Sequence, residues 1–419
     1  MENEKLVFPK GFLWGASTSS HQVEGYTKNN WTEWERENAE RLARGARKKW
    51  KQSQQERFPE MFDSQNYISG KACDHYNLFK KDFDLAKELG HNAHRFSIEW
   101  SRIEPEEGIF DQKEIEHYRE VIEALRENGM EPFVTLWHWT DPIWFAKKGG
   151  WTSADAVKDF KRFVEKITYE FQDIVKYWIV VNEPNVGMGF GYLLGSQPPA
   201  KKGPISFLQA YFNLLKAYRQ CYGLIHKTAQ GAHVGFAHSF YLYEAEIWKP
   251  INGIVSSVAA YFSDYFFTRT DGYRDFIGCN YYQEITLSFN KKKQPDRETT
   301  DLGWRIYPVG IYDVLLSLKK YGLPVYITEN GIADADDSKR EKFIKEHLRF
   351  VHKAISEGVD VRGYMHWSLI DNFEFPDMRG FWPRFGLVEV DFETQERKVR
   401  PSALEYKKIC ESNELEIEG

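Results

Sequence analysis

Two glutamates stand where a strand runs out. Tyr177-Trp178-Ile179-Val180-Val181-Asn182-Glu183-Pro184 and Leu323-Pro324-Val325-Tyr326-Ile327-Thr328-Glu329-Asn330-Gly331 are apolar, β-branched runs that each end in a carboxylate. Such runs predict buried parallel strands. Pro184 blocks continuation of the first ladder, and Asn330-Gly331 reads as the turn that stops the second. One carboxylate in that position could simply hydrogen-bond a loop. Two of them, on strands of the same design, predict a paired-carboxylate site in which one group carries a proton and the other a charge.

The elements that would have to position this pair alternate along the chain. Strands are expected at Phe12–Ser17, Asn92–Ile98, Pro132–His138, the Glu183 run, Val234–His238, Asp275–Tyr282, the Glu329 run and Val361–Trp367. Helical spacing of apolar residues fills most gaps: Tyr76–Leu89, Lys113–Asn128, Ala154–Gln172, Phe207–Thr228, Ile251–Thr268, Tyr307–Tyr321, Lys339–Ser356 and Ala403–Cys410. About eight strands alternating with helices predict one (β/α)8 (TIM) barrel over residues 1–419. A doubly wound open sheet is the alternative, but it would normally bring a Gly-rich phosphate loop after its first strand. The chain has no G-x-G-x-x-G. A polar segment at about 29–70 interrupts the pattern after the first strand, with Glu35–Gln55 expected to be helical. It has too few apolar residues to bury a core of its own and is expected to be a solvated flap, not a roof.

Polar and aromatic residues gather at the carboxyl ends of these strands, which a barrel brings to one rim. They are Gln22, Arg95, His138, Asn182 with Glu183, Asn280 with Tyr282, Glu329, and Trp367 followed by Glu374. Any one has an ordinary structural explanation; their placement at the same end of successive strands does not. Paired carboxylates ringed by amide, imidazole and indole groups suit a polyhydroxylated substrate, and paired Asp or Glu is the usual apparatus of glycoside hydrolysis. A metal reading of His138, Glu183 and Glu329 is weaker, since no H-E-x-x-H helix is present. The aromatic share of 16%, with 14 Trp and 23 Tyr, is what a sugar-stacking cleft would use, or simply a ring-rich core.

The net charge of −6 offers no general field for nucleic acid or an acidic membrane, and the basic runs Arg44–Lys49 and Lys291–Lys293 read as solvated surface. Cys73, Cys221, Cys279 and Cys410 are scattered without a C-x-x-C pair, so neither a disulfide framework nor a zinc site is indicated. No apolar run reaches 18 residues, and Met1-Glu2-Asn3-Glu4 is not a signal-peptide start. A cytoplasmic protein is expected.

Several motifs together resemble glycoside hydrolase family 1. They are Phe8-Pro9-Lys10-Gly11-Phe12-Leu13-Trp14-Gly15-Ala16, Arg95-Phe96-Ser97-Ile98-Glu99-Trp100, Asn182-Glu183-Pro184, Ile327-Thr328-Glu329-Asn330-Gly331, Trp367-Ser368-Leu369-Ile370-Asp371-Asn372-Phe373-Glu374 and Arg384-Phe385-Gly386-Leu387-Val388. They span nearly the whole chain in the family's order. The resemblance implies a retaining β-glycosidase on a (β/α)8 barrel, with no metal or organic cofactor and a small β-glycoside or oligosaccharide as partner. It implies Glu183 as acid/base and Glu329 as nucleophile, supported by Arg95, Asn280 and Tyr282. Gln22, His138, Asn182, Tyr282, Trp367, Glu374 and Phe375 fall on the pocket for the terminal sugar.

Two departures stand out. Phe375 replaces the tryptophan the family commonly has after its pocket glutamate, so one indole N–H contact to a hydroxyl is missing. Only about 40 residues separate the fifth and sixth strands, which predicts an abbreviated barrel wall there. Two other readings are a 6-phospho-β-glycosidase, disfavoured because a phosphate needs cations and Glu374 would repel it, and a non-catalytic glycan-binding relative, which would lack one carboxylate.

Overall fold

The computed structural model describes residues 4–245, 264–287, 297–375 and 379–417. Eight parallel strands close into a barrel: β1 (Leu13–Ser17), β2 (Ala93–Ser97), β3 (Glu131–Thr135), β4 (Tyr177–Asn182), β5 (His233–Ser239), β6 (Ile277–Asn280), β7 (Val325–Asn330) and β8 (Val361–Trp367). Each pairs with the next in sequence, and β8 returns to β1 through Gly363↔Leu13 to Trp367↔Ser17. The near-continuous apolar runs follow from this, because a strand covered by helices outside and packed rings inside has no solvated face.

An outer ring of helices covers the barrel. In chain order the long helices are α1 (Asn30–Lys49), which lies at the rim and outside this ring, and then the ring itself: α2 (His75–Glu88), α3 (Gln112–Glu127), α4 (Ala156–Phe171), α5 (Pro204–Thr228), α6 (Pro308–Leu318), α7 (Arg340–Ser356) and α8 (Pro401–Ser412). All but α1 follow the expected elements within a few residues. Strand lengths differ more. The run through His138 keeps ladder pairing only to Thr135, and the sixth strand is four residues long. Both shortened strands lead into the rim, where single backbone bonds continue outside the regular ladder: Leu136 N to Ile179 O and Asn182 N to Trp137 O after β3, and Tyr281 N to Glu329 O after β6. Of the wall between β5 and β6, residues 264–269 are helical; the rest of the expected helix Ile251–Thr268 lies outside the described residues, as does the run Lys291–Lys293. No helix among the described residues is long and apolar enough to cross a membrane.

The segment 29–70 is not a solvated flap. Asn29 caps α1, accepting from Trp31 N and Thr32 N while Thr32 Oγ1 accepts from Asn29 N. The helix then buries Trp31, Trp34, Ala39, Ala43 and Ala46 on one side and leaves its basic end exposed. Trp31 Nε1 donates to the Trp139 carbonyl at 3.1 Å, Glu35 meets the buried His21 at 2.6 Å, Arg57 pairs with Asp301, and Trp50 packs edge-on to Trp382. Its large side chains, Trp31, Trp34, Phe58 and Met61, join the neighbouring core at the rim, and Ala39, Ala43 and Tyr67 pack into a small cluster within the segment itself.

Candidate active site

Each site glutamate owes its position to local backbone. β4 ends at Asn182, and Glu183 follows at φ 41°, ψ 61°, a left-handed conformation that costs a non-glycine residue roughly 1–2 kcal/mol. That turn, followed by Pro184 at the start of a short helix, swings the side chain off the strand direction and into the rim. Glu329 sits inside β7, beside a register shift against β6 between Ile327 and Glu329. Beyond it Gly331 tolerates no side chain, since a Cβ there would lie 1.9 Å from the Trp367 carbonyl oxygen. The Asn330-Gly331 pair is therefore a close backbone approach to β8 more than a turn signal.

A single hydrogen-bonded chain joins the two carboxylates. Arg95, fully buried, donates through Nη1 to Glu329 Oε1 and through Nη2 to Asn182 Oδ1 at 2.7 Å. Asn280 Nδ2 donates to Asn182 Oδ1 (3.2 Å) and to Glu183 Oε1 (2.9 Å), while Thr328 Oγ1 fixes the Asn280 oxygen at 2.6 Å. Tyr282 OH donates to the other oxygen of Glu329 at 2.7 Å. Its phenol is held well above its usual range by burial and by the Glu329 charge, and so remains a donor.

Glu183 has a different setting. Burial, and then the negative charge of Glu329, push it up to about 8 against the bonds from Asn280 and Ser239. One carboxyl is thus poised to hold a proton, while the other is tied through both oxygens to donors.

These groups line a cavity of about 190 Å³ with Gln22, His138, Asn182, Tyr282, Trp367, Glu374 and Phe375; Arg95 and Asn280 stand behind it. Every residue singled out from the sequence is therefore at this one place. Asn182 Oδ1 accepts two bonds, so its Nδ2 must be the donor to His138 Nε2 (3.1 Å). His138 is accordingly the tautomer with its proton on Nδ1, a buried atom with no protein partner. Burial, with Arg95 and His21 nearby, keeps that ring neutral. Gln22 is largely engaged: Nε2 donates to Asn372 Oδ1 and Phe373 O, both at 2.9 Å, and Oε1 accepts from Ser19. Glu374, its carboxyl raised chiefly by burial, accepts from Trp367 Nε1 at 3.2 Å and from Arg379 Nη1 at 2.9 Å.

Phe375 faces the cavity and is also a packing centre. Its ring lies 4.5 Å from Trp31, 4.8 Å from Trp139 and 6.1 Å from His138. The sequence reading missed Trp31, Trp139, Trp304 and Arg379. None ends a barrel strand, and Trp31 arrives from a segment assigned to solvent. Trp139 carries a visible signal, lying directly after His138 in an aromatic run.

Two unlike carboxyls at the carboxyl rim of a (β/α)8 barrel are an arrangement that glycoside hydrolysis can use, and comparison with known proteins shows the class. The glycosyl hydrolase family 1 model matches residues 4–246 and 254–415. Beta-glucosidase A of Thermotoga maritima is 33% identical over 98% of this chain and 99% of its own length. A beta-galactosidase of Sulfolobus acidocaldarius is 29% identical, over 97% and 96%. Among solved structures, a beta-glycosidase from Pyrococcus horikoshii superposes with a TM-score of 0.86 at 38% identity, covering 99% of this chain and 97% of that one. The Thermotoga maritima beta-glucosidase in complex with glucoimidazole gives 0.84 at 30%, covering 97% and 99%. The chain belongs to glycosyl hydrolase family 1 and is a glycoside hydrolase.

Proposed function

We propose that the enzyme hydrolyses terminal non-reducing β-D-glucosyl residues, with galactosyl and fucosyl residues as further substrates, by double displacement with retention. The observation that carries this reading is the contrast between the carboxyls: Glu183 pushed up to about 8, Glu329 bonded through both oxygens by Arg95 and Tyr282.

Glu329 attacks the anomeric carbon and forms the glycosyl–enzyme bond, while Glu183 gives its proton to the departing glycosidic oxygen. Glycosylation removes the Glu329 charge, which had helped to raise Glu183, so Glu183 becomes more acidic. It then takes a proton from water, and that water cleaves the intermediate at the same carbon. Asn280 holds Glu183 through both steps. His138 Nδ1–H, the free lone pairs of Gln22 Oε1 and the Glu374 carboxylate offer a donor and acceptors to the ring hydroxyls. Both carboxylates are present, which disfavours a purely binding role.

The test is a panel of aryl β-glycosides (gluco, galacto, fuco, manno) followed by proton NMR before mutarotation. Release of the β-anomer from the glucoside is the expected result. The α-anomer as first product would overturn the retaining mechanism, and no turnover of any substrate would overturn the assignment.

A further inference from the structure

The cavity contains a cation that the strand-end pattern does not account for. Arg379 lines it with a side chain only 8% accessible, its guanidinium 4.6 Å over the Trp304 ring and 2.9 Å from Glu374 Oε2. Backbone on both sides holds it there. Glu374 and Gly380 exchange two backbone hydrogen bonds, at 2.9 and 3.0 Å, and the Arg379 carbonyl accepts from Asn66 Nδ2 at 3.1 Å. Apart from the bond to Glu374, no side-chain N–H of Arg379 has a partner among the described residues.

Two features separate a ligand-binding role from simple support of Glu374. First, a pocket for neutral hydroxyls gains little from a guanidinium that occupies the carboxylate meant to accept them. Second, with Glu183 protonated, the charges of Glu329 and Glu374 are balanced by those of Arg95 and Arg379. The site therefore does not repel an anionic sugar as two unpaired carboxylates would. Any added charge is uncompensated at a balanced site, so one is tolerated more readily than two: a phosphate monoester brings about −1.5 to −2, whereas a planar carboxylate brings −1 and matches the guanidinium fork.

We propose that Arg379 determines glycone specificity and that the enzyme accepts β-glycosides with a single negative charge at C6, the β-D-glucuronides, alongside neutral β-glucosides. The proposal rests on the retaining β-glycosidase reading above. The carboxylate at C6 would take up the spare N–H groups of Arg379, and the bonds made and broken at C1 are those of the glucoside reaction.

The experiment measures kcat/KM of the wild type and of Arg379→Met for 4-nitrophenyl β-D-glucoside, β-D-glucuronide and 6-phospho-β-D-glucoside. The wild type should turn over the glucuronide within about tenfold of the glucoside and the phosphate ester far more slowly. In Arg379→Met the glucuronide-to-glucoside ratio should fall at least about thirtyfold, since truncating one partner of a buried charge pair has effects of that size or larger. Arg379→Lys, which keeps the charge without the fork, should fall between the two. Glucoside turnover without glucuronide turnover in the wild type would overturn the proposal and leave the β-glycosidase reading standing. A preference for the phosphate ester would overturn the single-charge argument, and loss of all three activities would sink both readings. Should Arg379→Met fail to fold, the wild-type ratios and the lysine variant decide.

Discussion

The two ends of the barrel are built from the same strands and obey opposite rules. At the amino end, Phe133 of β3, Tyr177 of β4, Phe276 before β6 and Tyr326 of β7 close the interior with ring centroids 4.3–6.3 Å apart, packed with Ile179 and Met365. Their only polar atoms of note, the Tyr177 and Tyr326 hydroxyls, meet each other at 3.4 Å. At the carboxyl end, β2, β4, β6 and β7 carry Arg95, Asn182, Asn280 and Glu329, all buried and linked in one chain of hydrogen bonds, Glu329–Arg95–Asn182–Asn280. One end contributes dispersion and apolar burial. The other takes charges out of water and holds them only because every neighbour is a partner, an arrangement that is costly unless complete. Function is therefore located where the fold is least favourable to itself.

Substitutions should separate the two ends. The largest effect belongs to Glu329→Ala, which should lower turnover on the order of 10⁴-fold or more, as removal of a nucleophile does. Added azide should restore activity and give α-glycosyl azide by NMR; formation of the β-azide would reverse the assigned roles. Glu183→Ala should be milder, roughly 10²–10⁴-fold with poor leaving groups and far less with activated aryl ones, yielding β-glycosyl azide. The same residue sets an alkaline limit. On the proposed mechanism Glu183 carries its proton in the free enzyme, so kcat/KM should fall as pH rises through about 8, and that limb should be absent from the Glu183→Ala profile. An alkaline limb retained in the variant would assign it to another group.

Phe133→Ala tests the opposite end. It should destabilise the fold by about 3–5 kcal/mol in a denaturant titration while leaving kcat per folded molecule close to wild type. A large loss of kcat there would mean that the ends are not separable.

The smallest effect is expected of Phe375→Trp. Restoring an indole N–H should shift selectivity toward the glucoside over the fucoside by up to about tenfold, from one hydrogen bond of roughly 0.5–1.5 kcal/mol. The ring is packed against Trp31 and Trp139, so a larger side chain must displace them at about 1–3 kcal/mol of stability. Pairing it with Trp31→Phe should recover that stability, measured by thermal unfolding. An unchanged substrate ratio would mean that another donor, such as His138 Nδ1, already serves that hydroxyl.

The sequence by itself determined the barrel and the composition of its working rim. Apolar runs, helical spacing and their alternation are local properties, and a barrel necessarily brings the ends of eight strands together, so Glu183, Glu329, Arg95, Asn182 and Asn280 could be grouped without coordinates. Phe375 could be marked as a departure in the same way. What it could not convey is which side chain meets which. That Asn182 orients His138 through two accepted bonds depends on angles between β2, β4 and β6. The different settings of the two glutamates depend on burial and separation, which no one-dimensional pattern carries. The docking of α1 and the pairing of Arg379 with Glu374 were decided by tertiary structure alone. In each, a residue that looks polar or solvated along the chain is buried by a surface distant in sequence, and the free energy of that contact belongs to the pair and not to either segment.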